Sequence, residues 1–375
     1  MNPLRLLILL SLLGTFDVAC AFHDGGVASC AACHMMHNGS DDFIEPPSHN
    51  NKYLLRFDSP TDVCLSCHGA NNGSVWAQTP TLPAPERGSG NFVFIGAANI
   101  NDAPNGALYP LSGSHGVHNC ENYTFNAGPD PVNTMAPGGV FPAARLACTS
   151  CHDPHGNENF RMLRGAGFVP AGQITFAYPA PVAQGIPLTG AAESPSLHTA
   201  YQSGWTNWCA NCHGFYHQDA RDGFRHVVAG ALPSEARNSY EHYDGSSNPT
   251  GGNPLTSYLP QVPFEDPNIT TTSTYGPSTR SQISCITCHR AHGSSAVDAG
   301  RWDFQVVNLR MDGIVSGSYP LPMPYRGTVE RSLCLKCHEP DTRTHGFAQA
   351  CLECHRSSLD AMPHQLLREP SRLRQ

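Results

Sequence analysis

The stretch CTSCHDPHG, residues 148–156, decides how this chain folds. It opens with Cys-x-x-Cys-His, the attachment signature of c-type haem. Two thiols three residues apart can both add to vinyl groups on one edge of a porphyrin. The imidazole that follows then reaches the iron as its proximal ligand. Neither a zinc site nor a disulfide framework requires a His directly after the second Cys.

The same signature occurs seven times along the 375 residues, so the sequence predicts seven covalently bound haem c groups, each with one iron. The attachment cysteines are Cys30, Cys33, Cys64, Cys67, Cys148, Cys151, Cys209, Cys212, Cys285, Cys288, Cys334, Cys337, Cys351 and Cys354. The proximal histidines are His34, His68, His152, His213, His289, His338 and His355. Cys120 lies outside the pattern, either as a free buried thiol or as a link between molecules.

The remaining histidines are candidates for the second axial position on each iron. Seven of the 20 histidines are proximal, which leaves 13 others, and Met, the rival ligand, occurs only eight times. Bis-histidine ligation is therefore favoured. Four histidines follow a proximal His by three or four residues, and their short tether points them to a neighbouring haem; a surface or propionate-bonded His is the alternative. The candidate second ligands are His23, His37, His118, His155, His217, His226, His292 and His345.

The composition predicts an interior made of porphyrins rather than of apolar side chains. With 35 Gly and 32 Pro, regular elements are interrupted throughout, and the expected fold is a haem-cored multihaem cytochrome c, mostly irregular coil with few short helices and minimal β structure. Short helices are expected at the motifs, over 145–153, 205–214 and 330–339. The stretch 258–279, with its Pro residues and Thr/Ser run, is expected to be exposed.

The N-terminus predicts export. Residues 1–21 read as a signal peptide, with Arg5 before an apolar run and Ala19-Cys20-Ala21 as the cleavage site; a lipoprotein signal anchored at Cys20 is the alternative. Residues 22–375 are expected to form a single seven-haem domain with no membrane span, located in the periplasm or at the outer surface. The net charge of −8 argues against nucleic acid as a partner.

Residues 22–341 resemble the OmcS-type multihaem cytochromes, outer-surface proteins of metal-reducing bacteria that polymerise into filaments. The similar stretches are FHDGGVA (22–28), CHMMHN (33–38), APGG (136–139), CTSCHDPHG (148–156), WCANCH (208–213) and CHRAH (288–292). The resemblance implies stacked bis-histidine haems, favours His118 over His115 as a ligand, and implies that His37 ligates the Cys285–His289 haem of a neighbouring subunit. Residues 342–375 depart from that pattern by adding the seventh haem motif.

The sequence therefore predicts long-range extracellular electron transfer through a homopolymeric filament. The expected partners are other copies of the chain, other c-type cytochromes and extracellular electron acceptors. A discrete periplasmic or outer-surface electron carrier is one alternative, because the seventh haem could block polymerisation. A multihaem reductase is another, but it needs an iron with an open position for substrate, and the histidine surplus predicts that the protein is not an enzyme.

Overall fold

In the computed structural model, the described part of the chain is built mainly from turns and irregular segments joined by short helices. It comprises residues 30–35, 54–69, 75–76, 88–99, 101–102, 109–110, 117–186, 193–194, 196–217, 230–242, 251–272, 276–294, 297–301 and 336–337. Its α-helices are α1 Cys30–Cys33, α2 Pro60–His68, α3 Cys148–Cys151, α4 Trp205–Ala210, α5 Ser234–His242 and α6 Cys285–Cys288. Its 3₁₀ turns are Phe92–Asn99, Ala143–Arg145, Phe160–Met162, Pro170–Gly172, Gly214–His217 and Val297–Ala299.

Five of these six helices carry attachment cysteines, so the helices occur where haem must be held. The ends of α2 show how the sequence sets one of them: the Ser59 hydroxyl accepts the amide hydrogen of Asp62 at 3.1 Å, and Pro60 opens the first turn. Helices α3 and α4 lie within the ranges predicted from the sequence and are shorter. Most of the helix predicted over 330–339 lies outside the described residues.

Strand structure in the described part of the chain is limited to two antiparallel pairs. Strand β1 (Asn101–Asp102) pairs with β2 (Tyr109–Pro110), and β3 (Val182–Gln184) pairs with β4 (Ala200–Ser203). The predicted fold class, mostly coil with few short helices and minimal β structure, is confirmed. None of the described helices is long and apolar enough to cross a membrane.

Two small aromatic clusters pack beside the helices that carry the cysteines. One joins Trp76, Phe92 and Phe94 near α2, and the other joins Tyr201 and Trp205 near α4 and α6. Neither is large enough to resemble the core of an ordinary domain of this length. The five helices that carry cysteines are therefore organised around the attachment sites rather than around a conventional side-chain core.

The prediction that 258–279 is exposed is wrong for residues 258–266, which are all buried. Tyr258 stacks on the His198 ring with centroids 3.6 Å apart, and it meets Phe264 edge-on at 5.4 Å. The apolar and aromatic residues of this stretch pack against α5, and that packing outweighs the tendency of Pro and Thr to lie in surface loops. Residues 267–268 and 270–271, which carry part of the Thr run, are exposed.

Candidate haem-binding modules

Three of the attachment motifs belong to one repeated unit, which we call a module. Each module joins a Cys-x-x-Cys helix and its proximal His to a strap, a short downstream segment that ends in Arg. The modules are module 1 (30–56), module 2 (148–164) and module 3 (285–301), with straps 54–56, 161–164 and 298–301. In each, the backbone N–H of the strap Arg donates to the carbonyl of the second Cys: Arg56 to Cys33 at 2.9 Å, Arg164 to Cys151 at 2.8 Å, and Arg301 to Cys288 at 2.7 Å.

The guanidinium of each strap Arg binds the same helix a second time. Its acceptor is always the carbonyl of the residue after the first Cys: Ala31 for Arg56 at 3.2 Å, Thr149 for Arg164 at 3.1 Å, and Ile286 for Arg301 at 2.5 Å. A helix of four residues leaves most of its carbonyls without an intrahelical donor. The strap Arg therefore completes a helix that is too short to be stable alone.

The strap also orients the proximal imidazole. The Nδ1–H of His152 donates to the carbonyl of Arg161 at 2.9 Å, and the Nδ1–H of His289 donates to the carbonyl of Asp298 at 2.7 Å. Both carbonyls belong to residues in the left-handed region, with φ of 51° and 57°, which turns the carbonyl towards the ring. An Nδ1–H held in this way leaves the Nε2 lone pair to bind a metal.

The Cys209–His213 motif uses the APGG stretch, residues 136–139, for the same purpose. The Nδ1–H of His213 donates to the Pro137 carbonyl at 2.7 Å, and the Phe215 amide donates to the Gly138 carbonyl at 2.8 Å. Gly139 lies so close to the motif that a Cβ there would stand 1.6 Å from the Cys212 carbonyl oxygen. Glycine at this position is what allows the two backbones to touch.

Three pairs of imidazoles stand at the separation that a single iron between them requires. Ring centroids are 6.2 Å apart for His34 and His155, 6.2 Å for His152 and His292, and 5.9 Å for His118 and His213. Two metal–nitrogen bonds of about 2 Å on opposite sides of one ion place the centroids about 6 Å apart. Each pair includes one proximal His and one predicted second ligand, so the donor set fits bis-histidine haem.

The electrostatics keep three of these imidazoles neutral, as metal ligands must be. Burial first and neighbouring imidazoles second lower the pKa of His213 to about 4 and that of His292 to about 3. Burial likewise lowers the pKa of His118, although its Nδ1–H donates to the Ala291 carbonyl at 2.6 Å. Neutral rings at pH 7 keep their Nε2 lone pairs.

Attachment cysteines of different motifs meet in pairs. The Cys64 thiol is hydrogen-bonded to Cys148, which raises the pKa of Cys64, and the Cys209 thiol is hydrogen-bonded to Cys285. Cys120 makes a further hydrogen bond with Cys148. Since each thiol marks one edge of a porphyrin, the structure brings the second motif to the third and the fourth to the fifth.

Several predicted site residues lie outside the described residues: Cys334, Cys351, Cys354, His338, His355, His23, His37, His226 and His345. His217 ends the turn Gly214–His217, and Cys337 is described beside Lys336. The strap arginines were not predicted from the sequence. The available signal was an Arg twelve residues after the proximal His in modules 2 and 3.

Comparison with known proteins agrees with this geometry. The family described as "Doubled CXXCH motif" matches residues 141–169, which contain module 2. The curated protein "C-type cytochrome OmcS" of Geobacter sulfurreducens is 27% identical over 424 residues, an alignment that covers 88% of this chain and 97% of that protein. Two filament structures of the same cytochrome match with TM-scores of 0.68 and 0.69; each is 24% identical, and the match covers 85% of this chain and all of theirs.

The repeated motifs, with their paired imidazoles, define a multihaem c-type cytochrome in which haem c is covalently bound. Its fold is that of the OmcS filament subunit. The chain is thus similar to OmcS over most of its length, and the resemblance predicted from the sequence is confirmed.

Proposed function

We propose that this protein conducts electrons over long distances through seven covalently bound, bis-histidine haems, as a subunit of a homopolymeric extracellular filament. The observation that carries the proposal is the order in which imidazoles of different modules pair. His155, the second His of module 2, faces the proximal His34 of module 1. His292, the second His of module 3, faces the proximal His152 of module 2.

Each pair thus links one module to the module before it in the chain, always in the same direction. Under the same rule the second His of module 1, His37, is assigned to a module that precedes module 1. In a polymer that module is module 3 of the neighbouring copy, with its haem at Cys285–His289. Such a contact joins two different surfaces of the chain, and a head-to-tail interface that does not close produces an open filament.

The comparisons support this assignment. The similar solved structures are described as an "Outer Membrane Cytochrome S Filament" and as OmcS nanowires, and both match over 85% of this chain. On the same likeness we propose that the protein is exported to the outer surface, contacts other c-type cytochromes and delivers electrons to extracellular acceptors.

The side chains of this protein hold and insulate the redox groups. Haem c, when bound, supplies a one-electron iron couple at each motif. The straps of modules 2 and 3 hold the proximal rings of His152 and His289, and each pair of imidazoles would hold one iron from two sides. An iron held in this way would have no position for a substrate, which favours electron transfer over a catalytic reaction.

The experiment is electron microscopy of the exported protein together with its His37→Ala variant. We expect thin filaments from the parent chain, and a variant that keeps its haem content but does not polymerise. His242→Ala, an exposed histidine on α5, is the matched control and should polymerise normally. Intact mass measurement of each sample tests the count of seven haems.

Two results would contradict the proposal. Normal filaments from His37→Ala would show that ligation across subunits does not hold the polymer together. Only discrete particles from the parent chain would identify a monomeric carrier instead and would implicate residues 342–375 in blocking assembly.

A further inference from the structure

Module 3 contains two buried arginines that meet at one oxygen atom. Arg290 is 2% exposed and Arg301 is 4% exposed. Nη1 of Arg290 and Nη2 of Arg301 both donate to the Gly88 carbonyl, each at 3.2 Å. Two guanidinium groups are therefore held side by side in the interior.

The hydrogen bonds described for Arg301 go to neutral oxygen atoms, whereas the Glu193 carboxylate near Gly88 accepts the Thr199 amide at 2.8 Å. Besides the Gly88 carbonyl, Arg301 donates to the carbonyls of Ile286 and Pro260, at 2.5 and 3.2 Å, and it is hydrogen-bonded to the Tyr201 hydroxyl. A guanidinium does not lose its proton in a protein. In the interior, where the effective dielectric constant is low, its field is screened far less than that of a surface charge.

This field reaches the iron-binding imidazole of the module. Arg290 directly follows His289 in the chain. Arg301 donates to two carbonyls of the helix that ends beside His289, those of Cys288 and Ile286, at 2.7 and 2.5 Å. Asp298 is a carboxylate of the same strap, but its side chain is exposed, and water screens it.

Module 2 has the opposite arrangement at the matching place. Asp153, which directly follows the proximal His152, stands where Arg290 stands in module 3. Its Oδ2 lies 3.4 Å from Nη1 of the strap Arg164, and the two side chains are 24% and 18% exposed. The strap cation of module 2 is thus compensated by a carboxylate, whereas that of module 3 lies beside a second cation.

We infer that Arg290 and Arg301 form a built-in cation pair that raises the reduction potential of the haem at Cys285–His289, while Asp153 lowers that of the haem at Cys148–His152. Reduction adds one negative charge at the iron, so a fixed positive charge nearby stabilises the reduced form. In modules 2 and 3, the residue after the proximal His therefore sets part of the reduction potential of the haem bound at that motif. The inference rests on haem attachment at these two motifs and does not depend on filament formation.

The test compares two variants that should act in opposite directions on purified, fully haem-loaded protein. Arg290→Gln removes a buried cation, and Asp153→Asn removes the carboxylate while keeping an oxygen that can accept the His155 amide, which is now 3.1 Å from it. In a spectroelectrochemical titration, we expect Arg290→Gln to lower the reduction potential of one haem and Asp153→Asn to raise that of another. Each shift should be near tenfold in the equilibrium constant, about 59 mV for one electron.

Two controls separate this effect from damage to the fold. Arg237→Gln removes an arginine of α5 that donates to the Leu232 carbonyl and should leave every couple in place. Arg290→Lys keeps the positive charge, so its reduction potential should lie close to that of the parent protein and not to that of Arg290→Gln. Haem content and the low-spin ferric spectrum are recorded for every variant.

Unshifted potentials in Arg290→Gln with normal haem content would overturn the inference. If that variant does not fold, Asp153→Asn tests the inference by itself. A reduction potential that falls or stays unchanged in Asp153→Asn contradicts the charge argument. Loss of filaments in a variant whose potential shifts as expected would contradict the proposed polymer contact and would still support this inference.

Discussion

Gly139→Ala should disrupt the Cys209–His213 haem site more than any other single methyl addition near the described motifs. An ideal Cβ at Gly139 lies 1.6 Å from the Cys212 carbonyl oxygen, where ordinary contacts of carbon are about 3.5 Å. The two backbones must separate by about 2 Å to accept the methyl group. Neither can yield by a change of rotamer, because both partners are main chain.

The displacement acts directly on the iron ligands. His213 follows Cys212, and its Nδ1–H bond to Pro137 depends on the same contact. A shift of about 2 Å equals a whole metal–nitrogen bond, so the spacing of 5.9 Å between His213 and His118 cannot be kept. We expect one axial bond to be lost and the fold to be destabilised by about 3 kcal/mol, the upper end for overpacking.

Three measurements check this prediction: the high-spin component of the ferric spectrum, the haem count by intact mass, and the denaturant midpoint. Gly128→Ala is the matched control, since a Cβ there meets nothing within 4 Å, and it should behave as the parent chain. A Gly139→Ala protein with an unchanged low-spin spectrum and midpoint would refute the reasoning.

Three further predictions concern buried polar groups and ligands. Asp62→Ala should cost about 4 kcal/mol in denaturant unfolding, because the buried carboxylate accepts the Tyr123 and Thr124 amides at 3.0 and 2.8 Å; a cost below about 1 kcal/mol would contradict this. Burial raises the pKa of Glu265 above its ordinary 4.5, so the folded protein keeps a proton that the unfolded chain has released. Its stability should therefore fall as pH rises from 4.5 to that raised value, and Glu265→Gln should flatten this part of the profile of denaturant midpoint against pH; a profile as steep as the parent's would be inconsistent. His155→Ala should open one axial position in module 1 and add a high-spin ferric component at constant haem count, and a fully low-spin spectrum would exclude His155 as a ligand.

The attachment sites could be predicted from the sequence because all their chemistry lies within five consecutive residues. The helices at Cys148–Cys151 and Trp205–Ala210 followed from the same local signal. The pairing of His118 with His213 could not be derived from spacing, since 95 residues separate them and only the fold brings them together. The resemblance to known cytochromes, rather than any pattern, singled out His118.

The straps could not be predicted from the sequence for a different reason. The Arg comes twelve residues after the proximal His in modules 2 and 3 but 22 residues after it in module 1, so no fixed spacing describes all three. The burial of 258–266 was missed because composition alone does not reveal that Tyr258 stacks on His198. Both errors concern contacts between distant segments, which local propensity does not encode.

The one-directional pairing of modules has a consequence for how such a protein can change in length. If the proposed junction repeats the contact made inside the subunit, the pairing of imidazoles is the same between two subunits as between two modules of one subunit. Electrons then pass the same kind of contact in both places. Duplication of a module would then lengthen the subunit by one unit without altering either end. The length of the subunit could then vary while the contacts between modules stayed the same along the whole filament.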